Sequence, residues 1–141
     1  MSARTFIDTN VLVYAHDITA GRKREVAKQL LEDLWRENSG CLSVQVLQEL
    51  YVTLTRKRNL TTPQVARQLV LTYGNWPTHQ PNANDVLAAI DLHQKSHISF
   101  WDAMVIQSAA RLDCVQVFSE DLNHGQVVSG VTVTNPFEGI L

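Results

Sequence analysis

The sequence predicts an α/β domain with a small central parallel sheet flanked by helices. Short β-prone runs alternate with longer segments whose apolar residues recur at helical spacing, and this alternation is typical of strand–helix–strand units. A length of 141 residues suits one domain with a sizeable core, and neither an internal repeat nor a linker divides it. We therefore expect a single domain over residues 1–141.

The expected elements follow one another in a regular order. Capping residues and Pro or Gly punctuation set most of their boundaries. In chain order we predict a strand at 5–7, helices at 11–15 and 22–38, a strand at 41–43, helices at 44–54, 61–73, 82–95 and 99–112, and strands at 115–118 and 131–134.

In the first half, Asp8-Thr9-Asn10 forms the first boundary, because three helix-capping residue types directly follow the β-prone run 5–7. Residues 22–38 carry large apolar side chains on one helical face, and Ser39-Gly40 ends that helix. The next run, 41–43, is short enough for a second buried strand.

In the second half, Thr61-Thr62-Pro63 places a capping Thr before a Pro in the first helical turn. Ser99 is positioned to cap the predicted helix at 99–112. The alternating apolar pattern of 115–118 and 131–134 predicts two strands, and Asn135-Pro136 ends the second.

Composition narrows the class of protein. The hydrophobic fraction of 45% and the charged fraction of 18% are ordinary for a soluble globular domain, and no apolar run approaches the roughly 18 residues of a membrane span. The N-terminus lacks the layout of a signal peptide. Cys41 and Cys114 show neither metal-ligand spacing nor a disulfide framework. We expect a cytoplasmic protein with reduced thiols and no membrane association.

The net charge of −2 counts mildly against a tight nucleic-acid binder, but the charge is patterned. Two basic runs, Arg22-Lys23-Arg24 and Arg56-Lys57-Arg58, stand apart from the acidic clusters. Cations of this kind suit contacts with a phosphate backbone, whereas solvated helix ends explain the same runs about equally well.

Four short acidic clusters carry the functional hypothesis, and three of them lie where a strand ends or a helix begins. Parallel sheets gather ligand-binding groups at the carboxyl ends of their strands. Converging carboxylates repel one another unless a cation neutralises them, which indicates a hard-metal site and phosphoryl chemistry. The candidate residues are Asp8, Glu49, Asp102 and Asp121.

Each acid has a structural alternative. Asp8 is a good N-cap, Asp102 falls where a capping-box acid would follow Ser99, and a mid-helix Glu49 is usually solvated. A simple turn after the strand explains Ser119-Glu120-Asp121 about equally well on local grounds. If the cluster is functional, we expect one acid to face the site and the other to be solvated, and we favour Asp121 as the site acid. Capping and metal binding are compatible roles for Asp102.

The ordered set of motifs resembles PIN-domain endoribonucleases, specifically the VapC-type toxins of bacterial toxin–antitoxin pairs. The motifs are Phe6-Ile7-Asp8-Thr9-Asn10, Gln48-Glu49-Leu50, Ser99-Phe100-Trp101-Asp102-Ala103, Ser119-Glu120-Asp121-Leu122 and the closing Asn135-Pro136-Phe137. Asp-Thr-Asn alone is weak evidence, whereas the ordered set over essentially the whole chain is specific.

The resemblance implies a PIN-like fold and an acidic metal site formed by Asp8, Glu49, Asp102 and Asp121. Thr9 or Asn10 and Ser119 would support that site. It also implies Mg²⁺- or Mn²⁺-dependent cleavage of cellular RNA such as tRNA or rRNA, a homodimer, and a cognate antitoxin that covers the acidic pocket.

Oxygen ligands without a His or Cys cluster suit Mg²⁺ better than zinc. We expect Asp8 and Asp102 to be direct ligands, with Glu49 and Asp121 binding a second ion or orienting water, and attack by water on a phosphodiester. Products would carry a 5′-phosphate and a 3′-hydroxyl.

Other classes of protein fit less well. A receiver-like domain needs adjacent acids after its first strand and a late strand-end Lys, and a haloacid-dehalogenase-type phosphatase needs a second acid two residues after Asp8. Five histidines lack a paired spacing that would favour His-based acid–base catalysis. The alternative that stays open is a non-catalytic PIN-like module that binds RNA or protein.

Overall fold

A single sheet organises the part of the chain that the structure describes, residues 3–140 of a computed structural model. Its strands are β1 (Thr5–Ile7), β2 (Gly40–Ser43), β3 (Thr78–His79), β4 (Gln116–Phe118), β5 (Val127–Val128) and β6 (Val131–Thr134). They lie in the order β3-β2-β1-β4-β6-β5. Neighbouring strands are parallel except β5, which pairs antiparallel with β6. The expected parallel sheet is confirmed, with one antiparallel edge strand added.

Helices connect these strands and cover the sheet. They are α1 (Thr9–Ala15), α2 (Arg22–Glu37), α3 (Val44–Val52), α4 (Pro63–Tyr73), α5 (Ala83–Ser96) and α6 (Phe100–Arg111). A π-helix, Thr53–Lys57, continues α3. The sequence had predicted a single regular helix there, so the π-helix is a correction.

Local capping explains why the helices begin where they do. Side-chain oxygens of Asp8, Ser43, Thr62, Asn82 and Ser99 each accept a hydrogen bond from a backbone N–H of the first helical turn. Such contacts satisfy donors that a helix leaves unpaired at its start. The capping positions expected for Asp8, Thr62 and Ser99 are therefore confirmed.

The order in which the chain adds strands to the sheet reverses at β1. The chain moves from β1 to β2 and β3 on one side, and β4 and β6 lie on the other side. Ligands of open α/β sheets bind outside the carboxyl ends of the strands at such a switch point. A ligand site is therefore expected just beyond Ile7 and Phe118.

Aromatic side chains fill the part of the core near Gly40, the first residue of β2. Trp76 and Tyr73 are buried, with ring centroids 5.4 Å apart, while Trp35 is 39% exposed and packs on Trp76 at 4.5 Å. Tyr73 and Trp76 are therefore core residues. No helix in the described part of the chain has the length and apolarity that a membrane crossing requires.

Candidate metal centre

Asp8 and Ser119 lie side by side because β1 and β4 run parallel and in register. Ile7 pairs with Phe118, so the next residue of each strand emerges at the same edge of the sheet. The backbone N–H of Asp8 donates to the Phe118 carbonyl at 3.0 Å, and the Ser119 hydroxyl donates to Asp8 Oδ2 at 2.7 Å. Asp8 Oδ1 accepts the Thr9 N–H at 2.8 Å, so both of its oxygens are oriented.

Three carboxylates converge at this edge. One oxygen from each of Asp8, Asp102 and Asp121 lies within 4.8 Å of the other two. We call these three residues the acidic triad. Asp8 is buried, Asp102 is partly buried and Asp121 is exposed, so the triad opens to solvent on one side.

Asp102 reaches the triad from the first turn of α6. Ser99 Oγ accepts the Asp102 backbone N–H at 3.0 Å, which fixes the start of the helix. Within residues 3–140 the Asp102 carboxylate does not accept the Ser99 backbone N–H that would complete a capping box, unlike Asp85 of α5, whose side chain accepts the Asn82 N–H at 3.0 Å. The Asp102 carboxylate is therefore left free to face the other two acids.

Asp121 is held by Asn10, and its neighbour Glu120 points elsewhere. Asn10 Nδ2 donates to Asp121 Oδ2 at 3.0 Å. Glu120 forms an ion pair with Lys23 at 2.5 Å and accepts the Tyr14 hydroxyl at 2.7 Å. The structure thus places Asp121 in the triad as favoured from sequence, but Glu120 is bound in an ion pair and not solvated as expected.

Glu49 lies beside the acidic triad and outside it. Its Oε2 accepts the Thr9 hydroxyl at 3.1 Å, and its Oε1 accepts an amide hydrogen bond from Gln45 at 3.0 Å. A cavity of about 210 Å³ adjoins it. Lining this cavity are Thr9, Asn10, Glu49 and Asp121, together with Arg58, which sequence reasoning had placed only in a basic run.

Burial and mutual repulsion raise the pKa values of two of these acids. Desolvation raises the pKa of Asp8 from 3.8 to about 7, against the lowering effect of the Ser119 hydrogen bond, and the charges of Asp121 and Glu49 raise it further. The pKa of Asp102 is raised chiefly by desolvation, with added repulsion from Asp121 and Glu49. A cation at the triad would reverse this penalty.

The histidines of the described chain are occupied elsewhere. His16 bonds the Tyr73 hydroxyl at 2.8 Å, His79 bonds Ser108 at 2.8 Å, and His93 contacts the Ile98 carbonyl. His124 accepts the Asn135 N–H at 3.0 Å, and His97 caps α5. Among the residues that the structure describes, only carboxylates form the group that could hold a metal ion, and Mg²⁺ or Mn²⁺ prefers such oxygen ligands.

The fold and the sequence together place the chain in a known class. A sequence model of the PIN domain matches residues 5–128, and the chain belongs to the PIN domain family. A search among curated proteins gives no matching sequence.

Solved structures share the fold at low sequence identity. The chain superposes on VapC20 from Mycobacterium tuberculosis, described as a sarcin-ricin loop cleaving toxin, with a TM-score of 0.65, 19% identity and coverage of 83% of this chain and 89% of that one. A toxin–antitoxin complex from Klebsiella pneumoniae matches with a TM-score of 0.67 and 19% identity, covering 94% of this chain and 97% of that one. VapBC2 from Rickettsia felis, bound to a DNA fragment from its promoter, matches with a TM-score of 0.68 and 16% identity, covering 93% of this chain and 97% of that one.

Proposed function

We propose that this protein is a divalent-metal-dependent endoribonuclease and the toxin of a VapC-type toxin–antitoxin pair. The observation that carries the proposal is the acidic triad at the switch point of a PIN fold. Three carboxylates within 4.8 Å of one another are costly without a cation, and an oxygen-only donor set suits Mg²⁺ or Mn²⁺. Phosphodiester hydrolysis is the chemistry that such a site serves best.

The residues at this site would have different roles in binding the metal ion. Asp8, Asp102 and Asp121 would hold the ion, which differs from the sequence expectation that Asp121 would bind a second ion or orient water. A bound Mg²⁺ would lower the pKa of water and stabilise negative charge on a phosphate. Ser119 and Asn10 would orient Asp8 and Asp121, since each donates a hydrogen bond to its acid.

Glu49 would act on the substrate side of the triad. It borders the cavity and is oriented by Thr9 at 3.1 Å. From that position it would orient the attacking water or help to bind a second ion. Water attack leaves a 5′-phosphate and a 3′-hydroxyl, so a 2′,3′-cyclic phosphate among the products would contradict this scheme.

Cellular RNA, either tRNA or rRNA, is the proposed substrate. The support is the PIN fold together with the likeness to VapC20, whose description names cleavage of the sarcin-ricin loop. Such a substrate places the protein in the cytoplasm. A cognate antitoxin completes the proposal, because structural neighbours include toxin–antitoxin complexes. A homodimer is proposed from the resemblance to VapC-type toxins alone.

Cleavage of total bacterial RNA by the purified protein tests this function. The reaction is run with Mg²⁺, with a chelator, and with Asp8→Asn, while Asp91→Asn on the exposed side of α5 serves as the matched charge control. We expect metal-dependent fragments from the wild type and from Asp91→Asn, and none from Asp8→Asn. Intact RNA with folded, metal-loaded wild type would favour a non-catalytic module that binds RNA or protein.

A further inference from the structure

A positively charged side chain shares the cavity beside the acidic triad. Arg58 lines the same space of about 210 Å³ as Glu49 and Asp121. Its Nη2 contacts Asp17 Oδ2, and its side chain remains 45% exposed. A cation at this position is notable because the other charges on the cavity wall are carboxylates, which repel a phosphate backbone.

Asp17 is built as a fixed anchor for Arg58. The Asp17 side chain is fully buried, and its Oδ1 accepts the Thr19 N–H at 2.9 Å and the Thr19 hydroxyl at 2.6 Å. These bonds hold Oδ2 in place for the guanidinium. The pKa of Asp17 is lowered, first by the Thr19 hydroxyl and also by the charge of Arg58, so the anchor stays ionised.

The π-helix explains why only one residue of the basic run reaches the cavity. The Arg58 N–H donates to the Thr53 carbonyl at 2.9 Å, which closes the wider turn of Thr53–Lys57. Arg56 and Lys57 are exposed and do not line the cavity, whereas Thr53 and Arg58 do. Single π-turns are frequent at functional sites, where the extra residue redirects a side chain.

We propose that Arg58 is a phosphate-binding residue that seats the RNA backbone beside the acidic triad, with Asp17 as its positioning residue. This inference rests on the proposed ribonuclease function. A guanidinium has five N–H donors and the Asp17 contact uses one of its nitrogens, so donors remain for a phosphate oxygen. Because Asp17 already restricts the side chain, phosphate binding costs less conformational entropy than at a free Arg.

Two measurements on three variants test the role of Arg58. Arg58→Gln removes the cation, Arg58→Lys keeps a charge that can still pair with Asp17, and Arg56→Gln removes the same charge two residues away. The first measurement is the cleavage rate on total bacterial RNA. The second is the affinity for a fluorescent random-sequence 12-nucleotide RNA, measured by anisotropy with each variant placed in the Asp8→Asn background.

We expect Arg58→Gln to weaken 12-mer binding about tenfold or more and to slow cleavage at least as much, since a charge-assisted hydrogen bond contributes roughly that factor. Arg58→Lys should recover part of both losses, and Arg56→Gln should stay within about twofold of its parent. Equal effects of Arg58→Gln and Arg56→Gln would overturn the proposal, because general charge loss would then explain both.

Two controls distinguish the role of Arg58 from a loss of folding and from a failure of the proposed nuclease function. Arg58→Gln leaves the buried Asp17 charge unpaired, so unfolding is measured for every variant, and Arg58→Lys carries the test if Arg58→Gln does not fold. A wild type that cuts RNA while Arg58→Lys and Arg58→Gln bind and cut like wild type overturns only the role of Arg58. A wild type that cuts no RNA overturns the nuclease function, and the binding arm still decides whether Arg58 binds a phosphate backbone.

Discussion

The Ser119 hydroxyl connects two members of the acidic triad. Its Oγ donates to Asp8 Oδ2 at 2.7 Å and accepts the backbone N–H of Asp121 at 3.1 Å. Ser119 itself is completely buried. One hydroxyl thus orients the carboxylate that follows β1 and the turn that carries Asp121.

Replacing Ser119 by Ala should therefore weaken metal binding without removing a ligand. Loss of the hydroxyl removes the hydrogen bond that lowers the pKa of Asp8, so that carboxyl becomes harder to ionise. Outer partners of metal ligands typically contribute about 10- to 100-fold in affinity. Calorimetric titration with Mn²⁺ at pH 7 should show a loss of that size.

Ser39→Ala is the matched control for this measurement. Ser39 is also buried, but its hydroxyl lacks a hydrogen-bond partner within residues 3–140. We expect unchanged Mn²⁺ affinity for Ser39→Ala. Equal affinities for Ser119→Ala and wild type would remove Ser119 from the metal centre.

The metal-free protein should lose stability as the pH rises from about 4 to about 7. Burial raises the pKa of Asp8 from 3.8 to about 7, so in this window the native state binds more protons than the unfolded state. The free energy of unfolding then falls with rising pH and levels off above the folded pKa. The full effect is at most about 4 kcal/mol, since one pKa unit is about 1.4 kcal/mol.

Urea unfolding in chelator at several pH values measures this slope, and Asp8→Asn isolates the contribution of Asp8. Asp102, whose pKa is also raised, adds to the slope, while His16 opposes it because burial lowers its pKa. Asp33→Asn is the control, as the pKa of this exposed acid is lowered by Arg36. A parallel pH dependence in wild type and Asp8→Asn would refute the pKa assigned to Asp8.

Addition of Mg²⁺ should raise the melting temperature of the wild type. A ligand that binds only the folded state stabilises it by mass action, by about 2.7 kcal/mol at a concentration 100 times its dissociation constant. Asp8→Asn or Asp102→Asn each removes one charged oxygen ligand and should reduce the rise, whereas Asp91→Asn should keep it. Thermal denaturation followed by circular dichroism decides the matter, and an undiminished rise in both triad variants would remove these residues from the metal centre.

Local sequence sufficed for most of the fold because local contacts set most boundaries. Ser99, Thr62 and Asn82 each cap a helix through a residue only three positions ahead. The two-residue strands β3 and β5 were missed, since they exist only through pairing with β2 and β6. The π-helix was missed because it directly continues α3, whose apolar residues recur at ordinary helical spacing.

The position of the acids was also predictable in part. A strand-end rule placed Asp8 and Ser119-Glu120-Asp121 at one edge, and β1 and β4 do meet there. The rule could not show that Glu120 pairs with Lys23, 97 residues away, or that Arg58 pairs with Asp17, 41 residues away. Such pairs depend on how segments distant in sequence pack together, which the local pattern does not contain.

Gly40 tests the fold at the end of the sheet opposite to the acidic triad. A Cβ at this position would lie 2.6 Å from the Trp76 ring, which is itself buried against Tyr73 and Trp35. Gly40→Ala should therefore destabilise the protein by about 1–3 kcal/mol, the usual cost of overpacking. Urea unfolding measures the loss.

Two comparisons identify the cause of that loss. In a Trp76→Leu background the same Gly40→Ala change should cost less, because the ring that it meets is gone. The Mg²⁺-induced rise in melting temperature should persist in Gly40→Ala, because Gly40 begins β2 while the triad lies beyond the carboxyl ends of β1 and β4. An equal cost with and without the Trp76 ring would show that backbone effects in β2, and not close packing, require glycine at this position.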